Sequence, residues 1–115
     1  MTQMEVVRQY LSCLAVRNGK GAAALFSEKG VMDDANGRHH VGRAGIQGLL
    51  DTALSDMVVN APIHHIEEGN RVVVYGTLNG AMFTSEGAKM RWVFHFENGQ
   101  IIHLGNSFVT VFAAG

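Results

Sequence analysis

Apolar side chains recur at helical spacing in two parts of the chain. The first series has an apolar residue at every third or fourth position, namely Met4, Val7, Leu11 and Leu14. This spacing places the side chains on one face of an amphipathic helix. Thr2 and Glu5 have the spacing of a capping box at its start, and Asn18-Gly19 is expected to end it. A short second helix is predicted over residues 20–27 and a third over residues 42–56.

The remaining segments are typical of strands and are separated by turn residues. Strands are predicted over residues 31–35, 58–67, 71–83, 88–97 and 100–112. Asn36-Gly37 and Asn98-Gly99 indicate tight hairpin turns, Ser85-Glu86-Gly87 indicates a third turn, and Pro62 indicates a bulge or a sheet edge. The last three strands should therefore form an antiparallel meander. The order of two helices, a hairpin, a third helix and four strands predicts an α+β domain with helices on one face of a curved sheet.

Composition narrows the class of protein without adding a function. The chain has 115 residues, of which 47% are hydrophobic, and this length fits one domain over residues 1–115. A net charge of −1 argues against a nucleic-acid or anionic-membrane partner, because both favour a basic excess. No apolar stretch approaches the roughly 18 residues of a membrane span, and a signal-peptide pattern is missing. The single cysteine, Cys13, cannot form an internal disulfide, so we expect a cytoplasmic location.

The six histidines raise the question of a metal site. His39-His40 and His64-His65 are adjacent pairs, and adjacent residues of a strand point to opposite faces. At most one member of each pair therefore faces a common site. The sequence contains no His-x-His or His-Glu-x-x-His pattern, and such spacings bring imidazoles together on one metal. We therefore expect no metal and no cofactor.

The two Asn-Gly turns also predict which residues share a sheet face. A two-residue turn at Asn98-Gly99 fixes the pairing of the last two strands, and directly opposed residues lie on the same face. Asn36-Gly37, treated in the same way, places Asp34 opposite His39. Gly76, in the preceding strand, either leaves room for a ligand or only permits curvature. In the last hairpin, one face carries Met90, Trp92, Phe94, Phe96, His103, Ser107 and Val109, and the other face carries Arg91, Val93, His95, Leu104, Asn106 and Phe108.

Five short phrases, in their order along the chain, carry a resemblance to a known family. They are Val6-Val7-Arg8-Gln9-Tyr10-Leu11, Ala24-Leu25-Phe26, Val31-Met32-Asp33-Asp34, Gly42-Arg43-Ala44-Gly45-Ile46 and Phe94-His95-Phe96-Glu97-Asn98-Gly99-Gln100-Ile101. Together they resemble the nuclear transport factor 2-like superfamily, which includes ketosteroid isomerases and SnoaL-like polyketide cyclases. The resemblance implies a cone-shaped, curved antiparallel or mixed sheet wrapped around three helices, with a mostly apolar pocket inside. It also implies a small apolar ligand and a homodimer formed through the outer sheet face.

Within this superfamily, the chain resembles ketosteroid isomerase most at the chemical positions. Tyr10 stands where that enzyme has the oxyanion-hole tyrosine, and Asp34, preceded by Asp33, stands where it has the general base. Trp92 replaces the second oxyanion-hole acid, and an indole N–H is a donor only. The resemblance therefore implies catalytic roles for Asp34 and Tyr10. It also implies that the hairpin face with Trp92 and His103 lines the cavity, and hence a substrate-binding role for Trp92, Phe94, Met90, His103 and Ser107. The predicted pairing with Asp34 adds His39, as an alternative catalytic partner of Asp34.

The leading hypothesis is an isomerase, lyase or cyclase that acts on a small apolar carbonyl compound. Asp34 would abstract a proton next to the carbonyl and Tyr10 would donate a hydrogen bond to the enolate. The apolar wall would raise the pKa of Asp34. The alternative is a non-catalytic ligand-binding or dimerisation module of the same fold, which Trp92 favours. Epoxide hydrolysis is a weaker alternative, because the predicted register turns Arg91 away from the pocket.

Each candidate residue also has a purely structural interpretation. Asp34 lies beside a turn, where aspartate is common, and Tyr10 fits a core tyrosine on a buried helix face. Trp92 belongs to an apolar stripe of the kind that fills a core. His103 fits a solvated strand histidine. The sequence by itself leaves the structural and the functional interpretation open at each of these positions.

Overall fold

The three predicted helices lie in the N-terminal half of the chain. The structure is a computed structural model that describes residues 1–80 and 87–112. It contains α1 (Gln3–Ala15), α2 (Gly19–Ala23) and α3 (Gly42–Ala53), and α3 continues into a 3-10 turn (Leu54–Asp56). The capping box at the start of α1 is confirmed, since Glu5 N donates to Thr2 Oγ1 at 3.1 Å and Thr2 N donates to Glu5 Oε1 at 3.2 Å. Within the described ranges, no helix is long and apolar enough to cross a membrane.

Six strands form one mixed sheet against which the helices pack. The strands are β1 (Phe26–Asp33), β2 (His39–Val41), β3 (Met57–Glu68), β4 (Arg71–Gly80), β5 (Ala88–Glu97) and β6 (Gln100–Phe108). Their order across the sheet is β2-β1-β6-β5-β4-β3. All neighbours are antiparallel except β1 and β6, which are parallel. The predicted α+β class, the order of elements and the antiparallel meander are therefore confirmed.

The hydrophobic core lies between the helices and the concave face of the sheet. Val7 of α1, Ile46 of α3 and Leu104 of β6 have no exposed surface. Full burial of one such side chain stabilises a fold by about 1.5–3 kcal/mol. The helical period in α1 and the alternation along β4–β6 therefore point their apolar residues into the same interior.

The second helix and the first strand begin and end at other residues than predicted. The helix stops at Ala23 instead of residue 27, and β1 begins at Phe26 instead of residue 31. Phe26 is fully buried and is paired with Ile101 of β6, whose N–H donates to the Leu25 carbonyl at 3.1 Å. This pairing with a distant strand outweighs the weak local preference for helix. The last strand ends at Phe108 instead of residue 112, and Ser85 and Glu86 of the third predicted turn lie outside the described residues.

A bulge in β6 overturns the predicted pairing of the last hairpin. Asn98-Gly99 forms the expected turn and Phe96 pairs with Ile101, but the next pair along is His95 with His103. Ile102 is therefore an extra residue in β6. One extra residue exchanges the two faces for every position that follows it. The prediction that His103 and Ser107 face the cavity is consequently wrong, and the β6 residues that lie on the cavity face are Leu104, Asn106 and Phe108.

The register of the first hairpin also differs by one residue from the prediction. Asp33, not Asp34, pairs with His39, and Met32 pairs with His40. Asp34 N donates to the Arg38 carbonyl at 2.9 Å. Residues 35–37 lie between these two bonded residues, so the connection is longer than a two-residue turn. The prediction that Asp34 and His39 share a face is therefore wrong. His39 lies on the outer face with Asp33.

Gly76 accommodates the backbone of β3 and does not make room for a ligand. Around Pro62, the register of β3 shifts between Asn60 and His64, so the predicted bulge is confirmed. A Cβ atom added to Gly76 would lie 2.5 Å from the Asn60 carbonyl oxygen and 2.6 Å from the Ala61 Cβ. Both contacts are far closer than van der Waals distance. The bulged strand thus requires glycine at this point.

Replacing Gly76 by alanine is expected to destabilise the fold, whereas the same change at Gly48 is expected to stabilise it. Gly76→Ala should lower the free energy of unfolding by about 1–3 kcal/mol, since β3 must move to relieve the overlap. Gly48 lies in α3 and a Cβ added there would have no neighbouring atom within 4 Å, so Gly48→Ala should raise the free energy of unfolding by up to about 1 kcal/mol. Urea denaturation of both variants measures the two effects. Equal changes at the two sites would contradict the close approach of β3.

Candidate functional site

A mostly apolar cavity opens between the helices and the concave face of the sheet. Its volume is about 330 Å³, at the lower end of the range for small-molecule sites. The apolar lining comes from α1, α3, the 3-10 turn and strands β1 and β3–β6. Polar atoms are contributed by Tyr10, Asp34, Asn36, Trp92 and Asn106. The apolar residues are Leu14, Met32, Ala35, Leu49, Leu50, Ala53, Leu54, Met57, Val59, Leu78, Met90 and Phe108.

Three of the polar residues form a row across neighbouring strands. Trp92 of β5 pairs with Asn106 of β6, and Asp34 follows Asp33, which pairs with Gly105 of β6. Because β1 and β6 are parallel, Asp34 comes to lie beside Asn106. The Asn106 side chain ties the two strands together, since its Nδ2 donates to the Asp33 carbonyl at 2.9 Å. Asn106 also lines the cavity, so it belongs to both the strand contact and the cavity wall.

Tyr10 adds a hydroxyl from the opposite wall of the cavity. It lies on the buried face of α1, is 1% exposed and stands edge-on against Phe26 and Phe94, with ring centroids 6.1 and 5.4 Å away. Burial raises the pKa of Tyr10 well above its ordinary value of 10. The hydroxyl therefore stays protonated and acts as a hydrogen-bond donor. The aromatic contacts fix the orientation of its ring.

The other predicted wall residues of β5 have different surroundings. Met90 and Trp92 line the cavity and are each 3% exposed. The indole N–H of Trp92 is a second donor among the lining residues, on the sheet side of the cavity. Phe94 has no exposed surface and packs against Tyr10 and Phe96, with the Phe96 ring centroid 6.4 Å away. Phe94 thus belongs to the core beneath the cavity, where it supports the Tyr10 ring.

Asp34 is held by hydrogen bonds from three partners. Its Oδ1 accepts from the backbone N–H groups of Asn36 and Arg38 at 2.9 and 3.0 Å, and its Oδ2 lies 2.9 Å from His40 Nε2. The hydrogen bond from His40, followed by the two from the backbone, holds the pKa of Asp34 below its ordinary value of 3.8. The expectation that apolar surroundings raise this pKa is therefore wrong. Hydrogen bonds to the charged form outweigh the burial of the carboxyl group.

The remaining histidine candidates meet on the outer face of the sheet. His103 Nε2 lies 2.8 Å from Asp33 Oδ2, His39 Nδ1 contacts Asp33 Oδ1, and the rings of His95 and His103 are 5.6 Å apart. The hydrogen bonds from His103 and His39 hold the pKa of Asp33 below its usual range. Burial, and then the neighbouring His103, lowers the pKa of His95. Across residues 1–80 and 87–112, no group of histidine, cysteine or acidic side chains is arranged to hold a metal ion.

Sequence reasoning missed three polar residues at the site, Asn36, Asn106 and His40. Asn106 was assigned to the outer face, because the bulge at Ile102 leaves no sequence pattern that distinguishes it from an ordinary strand residue. His40 does not line the cavity but hydrogen-bonds Asp34, which does. The adjacent pair His39-His40 indicated that only one of the two faces the pocket side. The structure selects His40.

A second depression lies near the β5–β6 turn, remote from the polar row. It has a volume of about 530 Å³ but is shallow and open. Lys29 and Arg43 line it together with Glu28 and Glu97, so its charges balance. The Arg43 Nε atom already donates to the Phe26 carbonyl at 2.9 Å. The smaller, more enclosed cavity is therefore the better candidate for a ligand site.

Comparisons with known proteins place this geometry in a family. No curated protein matches the chain in sequence. A solved protein from Sphaerobacter thermophilus is 28% identical, with a TM-score of 0.83 over 94% of this chain and 96% of that one. A candidate polyketide cyclase from Sinorhizobium meliloti is 19% identical, with a TM-score of 0.80 over 93% of this chain and 100% of that one. A protein with a ketosteroid isomerase-like fold from Catenulispora acidiphila, in complex with trimethylamine, is 17% identical. Its TM-score is 0.79 over 92% of this chain and 86% of that one.

The match to a family of domains extends over most of the chain. The SnoaL-like domain matches residues 7–104 of the 115. That range contains Tyr10, Asp34 and Trp92, and also the bulge in β6. The chain therefore belongs to the SnoaL-like domain family.

Proposed function

We propose that the protein catalyses proton transfer between carbon atoms of a small apolar carbonyl compound bound in the 330 Å³ cavity. The observation that carries the proposal is the convergence of Asp34, Tyr10 and Trp92 on this one cavity. An ionised carboxylate accepts a proton, while a hydroxyl and an indole N–H stabilise negative charge on oxygen. These are the two tasks of enolisation, the chemistry shared by isomerases, lyases and cyclases of this kind.

The proposed step keeps base and donors on separate parts of the cavity. Asp34 lies at the end of β1, Trp92 lies two strands away in β5, and Tyr10 lies across the cavity in α1. A ketone whose oxygen accepts from Tyr10 and Trp92 can therefore direct its α-carbon towards Asp34. Asp34 would take the α-proton and the electron pair of the C–H bond would move to the carbonyl oxygen as the enolate forms. Returning the proton to another carbon would complete an isomerisation.

Deuterium exchange at the α-carbon of a cyclic ketone tests the proposal. Wild-type protein in D₂O should exchange the α-hydrogens faster than buffer, and mass spectrometry follows the gain in mass. Exchange by wild type at the buffer rate with every cyclic ketone in a graded size series would overturn the proposed activity.

A non-catalytic ligand-binding module is the second candidate function. The lowered pKa of Asp34 favours it, because a carboxylate that binds a proton weakly is a weak general base. The strong hydrogen bonding of Asp34 also restricts its movement towards a substrate. Ligand binding that persists in the absence of exchange would favour this function over enolisation.

We further propose that the protein forms a homodimer through the outer face of the sheet. Val93 and Gly105 pair with each other across β5 and β6 at the centre of that face and are partly exposed, and their small size supports close approach of a second copy. Val93→Glu is expected to convert dimers into monomers, because it buries a charge in the interface. Light scattering after size exclusion measures the mass. Val16→Glu, at a position that is 74% exposed beyond α1, is the control, and a monomeric wild type would contradict the proposal.

A further inference from the structure

We propose that the cavity selects cationic amines, with Asp34 as the counter-ion and Trp92 and Tyr10 as the aromatic walls around the cation. The inference rests on the second candidate function, the ligand-binding module, and it adds a chemical class to that module's ligand. The ligand is a tertiary or quaternary ammonium ion with a compact apolar body.

The first argument for cation binding is the charge distribution of the cavity. Of the described residues that line it, Asp34 alone has a charged side chain. The described lining contains no lysine, arginine or histidine that would neutralise it. His40 Nε2 lies 2.9 Å from Asp34 Oδ2, but His40 does not line the cavity, so a ligand in the cavity meets the carboxylate as the charged group. The cavity therefore attracts a cation and repels an anion.

The second argument is the set of hydrogen bonds around Asp34. Two backbone N–H groups and His40 fix the carboxylate in place, so a ligand meets a preorganised negative charge. The same bonds hold the pKa of Asp34 below its ordinary value, so the group stays ionised through the neutral range. A permanent charge of this kind suits ion pairing better than the uptake of a proton.

The third argument is the aromatic and apolar surroundings of the carboxylate. Trp92 and Tyr10 line the cavity with Asp34, and Asn106 lies between Asp34 and Trp92 in the row across the sheet. Aromatic faces bind alkylammonium ions, and tryptophan does so best. Apolar residues such as Met90 and Leu54 complete the wall and suit the methyl groups of the cation.

Choline and its uncharged carbon isostere, 3,3-dimethylbutan-1-ol, provide a matched pair of probes. Trp92 is the only tryptophan in the sequence, so the NMR signal of its indole N–H reports occupation of the cavity. Choline is expected to bind wild type roughly 10-fold more tightly than the isostere, through the ion pair and the cation–π contact. Asp34→Asn should abolish that preference. Asp33→Asn, the same change at the neighbouring residue on the outer face, should retain it.

The outcomes separate this inference from the proposed function. Equal binding of choline and the isostere, or a preference for choline that survives Asp34→Asn, overturns the cation selectivity while the small-molecule site stands. If neither probe binds, the cation selectivity is overturned. The proposed proton transfer is tested separately, by the exchange experiment with ketones. If Asp34→Asn does not fold, wild type is titrated with the anionic isostere 3,3-dimethylbutanoate. Exclusion of this anion supports the inference, and binding as tight as that of choline overturns it.

Discussion

Asp34→Asn is expected to slow α-proton exchange of a bound cyclic ketone by about 10²–10⁴-fold, the usual contribution of a positioned general base. The amide has nearly the shape of the carboxylate and can still accept the backbone hydrogen bonds from Asn36 and Arg38. The cavity should therefore keep its form and lose only the base. Mass spectrometry of the deuterated ketone gives both rates.

Asp33→Asn is the matched control for this experiment. It removes a carboxylate one residue away, on the outer face beside His103, and should leave the exchange rate of folded protein unchanged. Because the pKa of Asp34 is lowered from 3.8, the wild-type rate should be constant through the neutral range and fall only in strong acid. Equal rates in wild type and Asp34→Asn would eliminate Asp34 as the base.

Phe94→Ala is expected to lower the free energy of unfolding by about 3–5 kcal/mol, the range for deleting a buried phenylalanine ring. Phe94 has no exposed surface and its ring packs edge-on against Tyr10 and parallel to Phe96. The loss should also free the Tyr10 ring to move, because Phe94 supports it from below. Urea denaturation measures the stability of the variant.

Phe108→Ala separates this core role from a role in the cavity wall. Phe108 lines the cavity but is 51% exposed, so its deletion should cost only about 1 kcal/mol, well below the cost at a buried site. Similar losses at the two positions would show that Phe94 is not a special support. A loss below about 1 kcal/mol at Phe94 would contradict its placement in the core.

The helices and the overall class were predictable because their patterns are local. The capping box of Thr2 and Glu5, the apolar face of α1 and the two Asn-Gly turns each depend on neighbouring residues. The second helix was predicted too long, since the pairing of Phe26 with Ile101 joins residues far apart in the chain. The helix and strand preferences of neighbouring residues contain no information about such a long-range contact.

The candidate site was predictable only in part. Tyr10, Asp34, Met90 and Trp92 line the cavity, which agrees with the positions that the family resemblance implies. The direction of the Asp34 pKa was not predictable, because it depends on the hydrogen bond from His40 and on the backbone of the loop. His40 reaches Asp34 only in the observed register of the first hairpin.

By itself, the sequence determined the α+β order of elements, the apolar interior and the residues of α1 and β5 that face it. Tertiary structure alone decided which side chains of β6 join them. The reason is the two-residue period of a strand: the single extra residue, Ile102, turns His103 and Ser107 outward and Asn106 inward. The bulge is visible only in the pairing of β6 with β5, so the alternation along β6 by itself does not reveal it. The polar row of Asp34, Asn106 and Trp92 is therefore a product of packing, although every one of its residues is present in the sequence.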